Sequence, residues 1–117
     1  LLVEDNAFYR DIEKQYLNQL GKFDIVHVPN GQAALDRLRS EEFNLIISDM
    51  YMPLLNGFDL IAEVRHTERW ADLPVLGITS LNQAWLATRA LESGFNDCVF
   101  KMQKESFGAA VVDLLGG

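Results

Sequence analysis

The sequence predicts an α/β domain in which five strand–helix repeats build a doubly wound parallel sheet, with helices on both faces. Three observations predict it: five short apolar runs, longer segments of helical periodicity between them, and Asn or Gly at several joins. The runs are Leu1–Val3, Asp24–Val28, Asn44–Ser48, Pro74–Ile78 and Asp97–Phe100. Most of their positions are apolar with little alternation, as in strands buried on both faces.

Each helix follows from its stripe. Phe8, Ile12, Tyr16 and Leu20 step by four along the first. Gly31, Ala34, Leu35 and Leu38 give the i, i+3, i+4, i+7 pattern of the second, and Gly57, Leu60, Ile61 and Val64 repeat it in the third. Ala84, Ala87 and Leu91 mark the fourth; Phe107, Ala110, Val111 and Leu114 mark the fifth. Asn30 and Asn56 stand where helix N-caps are wanted, and Gly21 and Gly94 where helices stop. Pro74 opens the fourth strand, where a missing N–H is tolerated. The connections are short, so residues 1–117 read as one domain. Because Leu1 already lies in a strand, that domain reads as a fragment of a longer protein.

Composition narrows the function. Hydrophobic residues make up 49% and charged residues 23%, the profile of a globular chain and not of a disordered one. Ten basic against 17 acidic residues leave a net charge of −7, which disfavours nucleic acid and anionic lipid as partners. A single cysteine, Cys98, forms no internal disulfide and fits a reducing, cytoplasmic setting. No apolar run has the ~20 residues of a membrane span, and no signal peptide is visible.

In an open parallel sheet the functional crevice lies beyond the carboxyl ends of the strands. Glu4 and Asp5 follow the first strand, Asp49 the third, Thr79 and Ser80 the fourth, and Lys101 the fifth. Taken singly, each has an ordinary structural use: Asp49 caps a loop, Thr79 starts a turn, Lys101 is solvated. Together they crowd carboxylates at one edge, where like charges repel unless a cation screens them. Oxygen ligands in small number suit Mg²⁺. A lysine and a hydroxyl beside them supply a charge and a hydrogen-bond donor for phosphoryl oxygens. That set describes phosphoryl transfer to a carboxylate nucleophile.

Four pieces in order carry a family resemblance: Leu2-Val3-Glu4-Asp5-Asn6; Asp49-Met50-Tyr51-Met52-Pro53 followed by Asn56-Gly57; Ile78-Thr79-Ser80; and Val99-Phe100-Lys101. Asp5, Asp49, Thr79 and Lys101 stand 44, 30 and 22 residues apart in turn. From Leu1 to about Leu115 the chain resembles the receiver domains of two-component response regulators, the chemotaxis-type signalling fold. The resemblance implies a flavodoxin-like sheet of strand order 2-1-3-4-5. It implies Asp49 as phosphoacceptor, Thr79 as binder of a phosphoryl oxygen, and Lys101 as partner of the phosphoryl group. Mg²⁺ would be held by Asp5 and Asp49, by the Tyr51 carbonyl, and by Glu4 through water. The donor would be a histidine kinase or phosphotransfer domain. Phosphorylation would repack the face of the fourth helix, fifth strand and fifth helix, where a protein partner binds. Such a domain is a signalling element and not an enzyme in its own right.

The chain departs from the family at two places. Met102 follows Lys101 where a proline in a cis bond is usual, and a cis bond before a non-proline costs ~2.5–4 kcal/mol, so a trans peptide is expected. Cys98 stands where an aromatic switch residue is usual, leaving that role to Phe100 or Trp85 or to neither. The start of the chain and the lysine without its proline are similar to receivers fused at the C-terminus of chemotaxis-type histidine kinases. Tyr51 and Leu81 flank the site where the family tunes hydrolysis, and their bulk predicts a slow loss of phosphate. His27 and His66 lie away from the strand ends, Trp70 is expected to pack before the fourth strand, and Trp85 falls off its helix stripe.

Rivals are weaker. A haloacid-dehalogenase-like phosphatase wants a second Asp two residues after the nucleophile, and Tyr51 is there. A flavodoxin-like FMN carrier needs a phosphate loop where Glu4-Asp5 would repel phosphate. A pseudo-receiver that docks partners without phosphorylation is the remaining alternative.

Overall fold

A computed structural model describes residues 1–51, 55–81 and 83–116. In chain order the elements are β1 (Leu2–Val3), α1 (Ala7–Leu20), β2 (His27–Val28), α2 (Gly31–Ser40), β3 (Ile46–Asp49), α3 (Gly57–His66), a 3₁₀ turn (Glu68–Trp70), β4 (Val75–Thr79), α4 (Ala84–Ser93), β5 (Asp97–Phe100) and α5 (Lys104–Leu114). All strand pairs are parallel, and the order across the sheet is β2-β1-β3-β4-β5.

Side chains alternate across this sheet and so feed two cores. Val3, Ile46 and Val75 point to a cluster with α2, α3 and α4. Their neighbours Leu2, Ile47 and Leu76 point to a second cluster with α1 and α5. Burying each such side chain stabilises the fold by about 1.5–3 kcal/mol. Trp70 packs against the first cluster just before β4, as expected.

Three helices begin on asparagine. Asn6, Asn30 and Asn56 accept from the amides of Tyr9, Ala33 and Asp59 at 3.1, 2.8 and 2.9 Å. Gly94 ends α4 at φ 115°, a left-handed position that favours glycine. Gly21 ends α1 too, but in extended backbone that any residue adopts. Arg65 at the end of α3 ties the far side together: it donates to the carbonyls of Gly94, Ala71 and Leu73 and to Asn96 Oδ1, at 2.7–3.0 Å.

Three expectations need correction. The strand expected over Asp24–Val28 is shorter: β2 is His27–Val28, with the Val26 carbonyl still accepting the Leu2 amide at 2.9 Å and Asp24 exposed. On α1 the buried residues are Glu13 and Leu17, while Phe8 and Leu20 are exposed, so the stripe is turned from the one that apolar spacing predicts. On α4 the buried residues are Leu86 and Ala90; Ala87 and Leu91 face solvent. The α2 and α3 stripes are buried throughout, and α5 buries Phe107, Ala110 and Val111.

Candidate functional site

Parallel strands bring their carboxyl ends to one edge, and the site is built there. Glu4 and Asp5 leave β1 just ahead of the Asn6 cap. Asp49 is the last residue of β3 and Thr79 the last of β4, while Lys101 follows the end of β5. The Lys101 amide donates to the Thr79 carbonyl at 2.8 Å, which fixes the root of its side chain.

The Lys101 ammonium sits between two carboxylates. Its Nζ is 2.8 Å from Glu4 Oε1, 3.1 Å from Glu4 Oε2 and 2.9 Å from Asp49 Oδ2. The side chains of Lys101, Glu4 and Asp49 are 5%, 0% and 7% exposed, so this is a desolvated ion cluster whose members depend on one another. Glu4 Oε2 also accepts the Asn6 amide, and Asp49 Oδ1 accepts the Tyr51 amide at 3.1 Å. The Tyr9 ring covers the ammonium with its centroid 4.3 Å from Nζ.

Asp5 is exposed, yet one of its oxygens lies within 4.8 Å of oxygens of Glu4 and Asp49. Three carboxylates converging so closely, with a lysine already drawn in between two of them, fit a small hard cation such as Mg²⁺. Burial raises the pKa of Asp49 to about 7, against the pull of Lys101, with Glu4 adding to the rise. Burial alone would lower Lys101, but its bonds to Glu4 and Asp49 outweigh that and hold it above the ordinary lysine value.

Thr79 is buried, and its hydroxyl accepts the Leu81 amide at 3.0 Å without bonding to Asp49. The oxygen used as acceptor leaves the O–H free to donate. Tyr51 and Leu81, 44% and 43% exposed, stand on the rim. Met52 and Pro53 lie outside the described residues. No cis peptide occurs among the described residues, so Lys101–Met102 is trans as expected, with Met102 at φ 65°. Cys98 is half-buried with Sγ 3.4 Å from Met50 Sδ, and burial pushes its thiol up to about 11. His27 holds the Glu4 carbonyl through Nε2 at 2.8 Å; His66 is exposed at the end of α3. Trp85 is 54% exposed.

Two site neighbours were missed by sequence reasoning. Tyr9 carries no motif signal at all. Glu13 is 3% exposed, neither of its oxygens has a hydrogen-bond partner, and the Glu4 carboxylate lies near it. Burial and the Glu4 carboxylate raise its pKa to about 9, so it holds a proton and can donate. The available signal was a charged residue four positions before Leu17 on a helix face that must be buried.

Comparison with known proteins agrees with this arrangement. The profile of the response regulator receiver domain matches residues 1–112. A chemotaxis protein CheY homolog of Campylobacter jejuni is 31% identical over 102 residues, 86% of this chain and 78% of that protein. The receiver domain of a signal transduction histidine kinase from Syntrophus aciditrophicus superposes with a TM-score of 0.87 at 30% identity, over 99% of this chain and 88% of that one. The receiver domain of sensor histidine kinase PA1611 from Pseudomonas aeruginosa, with magnesium in its active-site cleft, gives 0.87 at 23% identity over 99% and 95%. Strand order, site composition and sequence similarity agree, and the chain belongs to the response regulator receiver domain family.

Proposed function

We propose that Asp49 is the phosphoacceptor of a Mg²⁺-dependent phosphorelay step, and that its phosphorylation switches partner binding. The observation that carries this reading is the Lys101 ammonium held 2.9 Å from Asp49 Oδ2, with both side chains buried. An Asp49 oxygen attacks the donor phosphorus; the new P–O bond forms as the bond to the leaving group breaks, and the leaving group keeps that electron pair. Lys101 keeps its protons and meets the charge on the phosphoryl oxygens, while the Thr79 O–H donates to one of them.

Asp5, Asp49, the Tyr51 carbonyl and, through water, Glu4 are the residues that would hold Mg²⁺, which supplies charge neutralisation between carboxylates and phosphoryl oxygens when bound. The Pseudomonas receiver, similar in fold and described with magnesium in its cleft, supports this assignment. The donor is a histidine kinase or phosphotransfer domain of the cytoplasm, and residues 1–117 act as one receiver domain. The partner surface is the α4–β5–α5 face, where Trp85 is exposed. No helix among the described residues is long and apolar enough to cross a membrane.

The test is acetyl phosphate with Mg²⁺, followed by intact-mass measurement. A gain of ~80 Da that disappears in Asp49→Asn is expected. The missing proline after Lys101 favours the second reading, a pseudo-receiver, and no gain in mass would establish it in place of the first.

A further inference from the structure

Among the described residues the Lys101 ammonium bonds to the Glu4 and Asp49 carboxylates and lies over the face of the Tyr9 ring, 4.3 Å away. A lysine head is a point charge on a four-carbon stem, with nothing in its own shape to fix its direction. The chain beyond it gives little support. Met102 is 51% exposed and takes φ 65°, a region a side-chain-bearing residue seldom adopts. Tyr9, by contrast, is firmly placed: it lies in the first turn of α1, and its amide is held by the Asn6 side chain at 3.1 Å.

We propose that Tyr9 is a positioning residue for Lys101, its ring holding the ammonium at the Asp49 end of the crevice so that it meets an incoming phosphoryl group. The inference rests on the phosphoacceptor reading of Asp49. Its physical basis is that the ring is an uncharged neighbour. When a phosphoryl group arrives, the ammonium must shift its bonds from carboxylate to phosphoryl oxygen. A carboxylate competes for it throughout, whereas an aromatic face attracts the cation and takes up none of its N–H donors. With the ring over its ammonium, the side chain of Lys101 is only 5% exposed.

The experiment follows the rate of mass gain from acetyl phosphate and Mg²⁺ in the full chain, for Tyr9→Phe and Tyr9→Leu, each alone and with Lys101→Met. Phenylalanine keeps the ring face and loses the hydroxyl; leucine keeps bulk and loses the ring. Tyr9→Leu should slow phosphorylation about 3- to 10-fold. Tyr9→Phe should restore the parental rate, and the leucine effect should vanish once Lys101 is methionine. Should Tyr9→Leu melt early, Tyr9→Met makes the same comparison. A parental rate in the leucine and methionine variants, an equal slowing in Tyr9→Phe, or an undiminished slowing in the Lys101→Met background overturns the inference alone. Absence of any mass gain on the unaltered chain overturns the Asp49 reading and this inference with it.

Discussion

Glu13, buried on α1 with neither carboxyl oxygen hydrogen-bonded, lies beside the Glu4 carboxylate at the end of β1. Two carboxylates cannot share such a place unless one holds a proton, and Glu13, raised to about 9, is the holder. Unfolded, it ionises near its ordinary 4.5. Between those values the folded chain binds more protons than the unfolded one, so stability is full below about 4.5 and falls as the pH rises towards about 9. Asp49, raised from 3.8 to about 7, adds to the slope in the lower part of that window. Glu13→Gln keeps the donor without the titration. In metal-free buffer it should stabilise the domain at pH 7 by on the order of 1–3 kcal/mol and flatten the pH dependence of urea melts. Equal slopes for the two proteins would contradict the assignment.

Removing the ammonium leaves Glu4 and Asp49 facing one another in a dry crevice. Lys101→Met should cost about 2–4 kcal/mol in metal-free urea unfolding. Added Mg²⁺ should recover a larger share of stability in this variant than in the parent, because the carboxylates are then free for it. A variant indifferent to Mg²⁺ would argue against a cation site.

On the proposed function, Tyr51 and Leu81 are expected to hinder water from reaching a phosphorylated Asp49. Both stand half-exposed at the rim, and neither carries a carboxylate or carboxamide to orient an attacking water. Replacing them together by Asn and Glu should shorten the lifetime of the phosphorylated chain about tenfold, followed by intact mass after donor removal. A longer lifetime would sink the idea.

Gly57 begins α3 against the backbone of Asp49 and Met50. A Cβ there would lie 2.7 Å from the Asp49 carbonyl oxygen and 2.7 Å from Met50 Cα, atoms that cannot swing aside. Gly57→Ala should destabilise the domain by about 1–3 kcal/mol and slow phosphorylation, since the displaced backbone carries Asp49. Thermal melts and mass-gain rates read the two effects separately.

Arg65 offers a sharper contrast between two cations. Its guanidinium serves four acceptors on two segments, a geometry that an ammonium cannot reproduce. Arg65→Lys should cost about 1.5–3 kcal/mol of stability, measured by urea unfolding, while leaving the rate of Asp49 phosphorylation within about twofold.

The legibility of the sequence varied with the kind of constraint each residue serves. Asp49, Thr79 and Lys101 could be read because strand ends are easy to locate and chemistry gathers there. Asn30 and Asn56 could be read because capping is local. Strand order could not come from the apolar runs, which specify that strands are buried but not which lie side by side; it came from the resemblance. The turn of α1 was misjudged because apolar spacing counts Phe8 and Leu20 and ignores Glu13, whose burial depends on a residue nine positions earlier and a proton. Tyr9 escaped because its role depends on a lysine 92 residues away, a distance only the folded chain closes.

One backbone contact gives the segment past Asp49 a reach beyond the crevice. The Gly31 amide, at the start of α2, donates to the Leu55 carbonyl at 3.0 Å, and the space there admits no larger residue because a Cβ would collide with that same carbonyl. Any displacement of Leu55 therefore pulls directly on the start of α2, a helix that packs beside α3 and β2. The hydrogen-exchange protection of that single glycine amide becomes a native gauge of that displacement, readable without attaching a label.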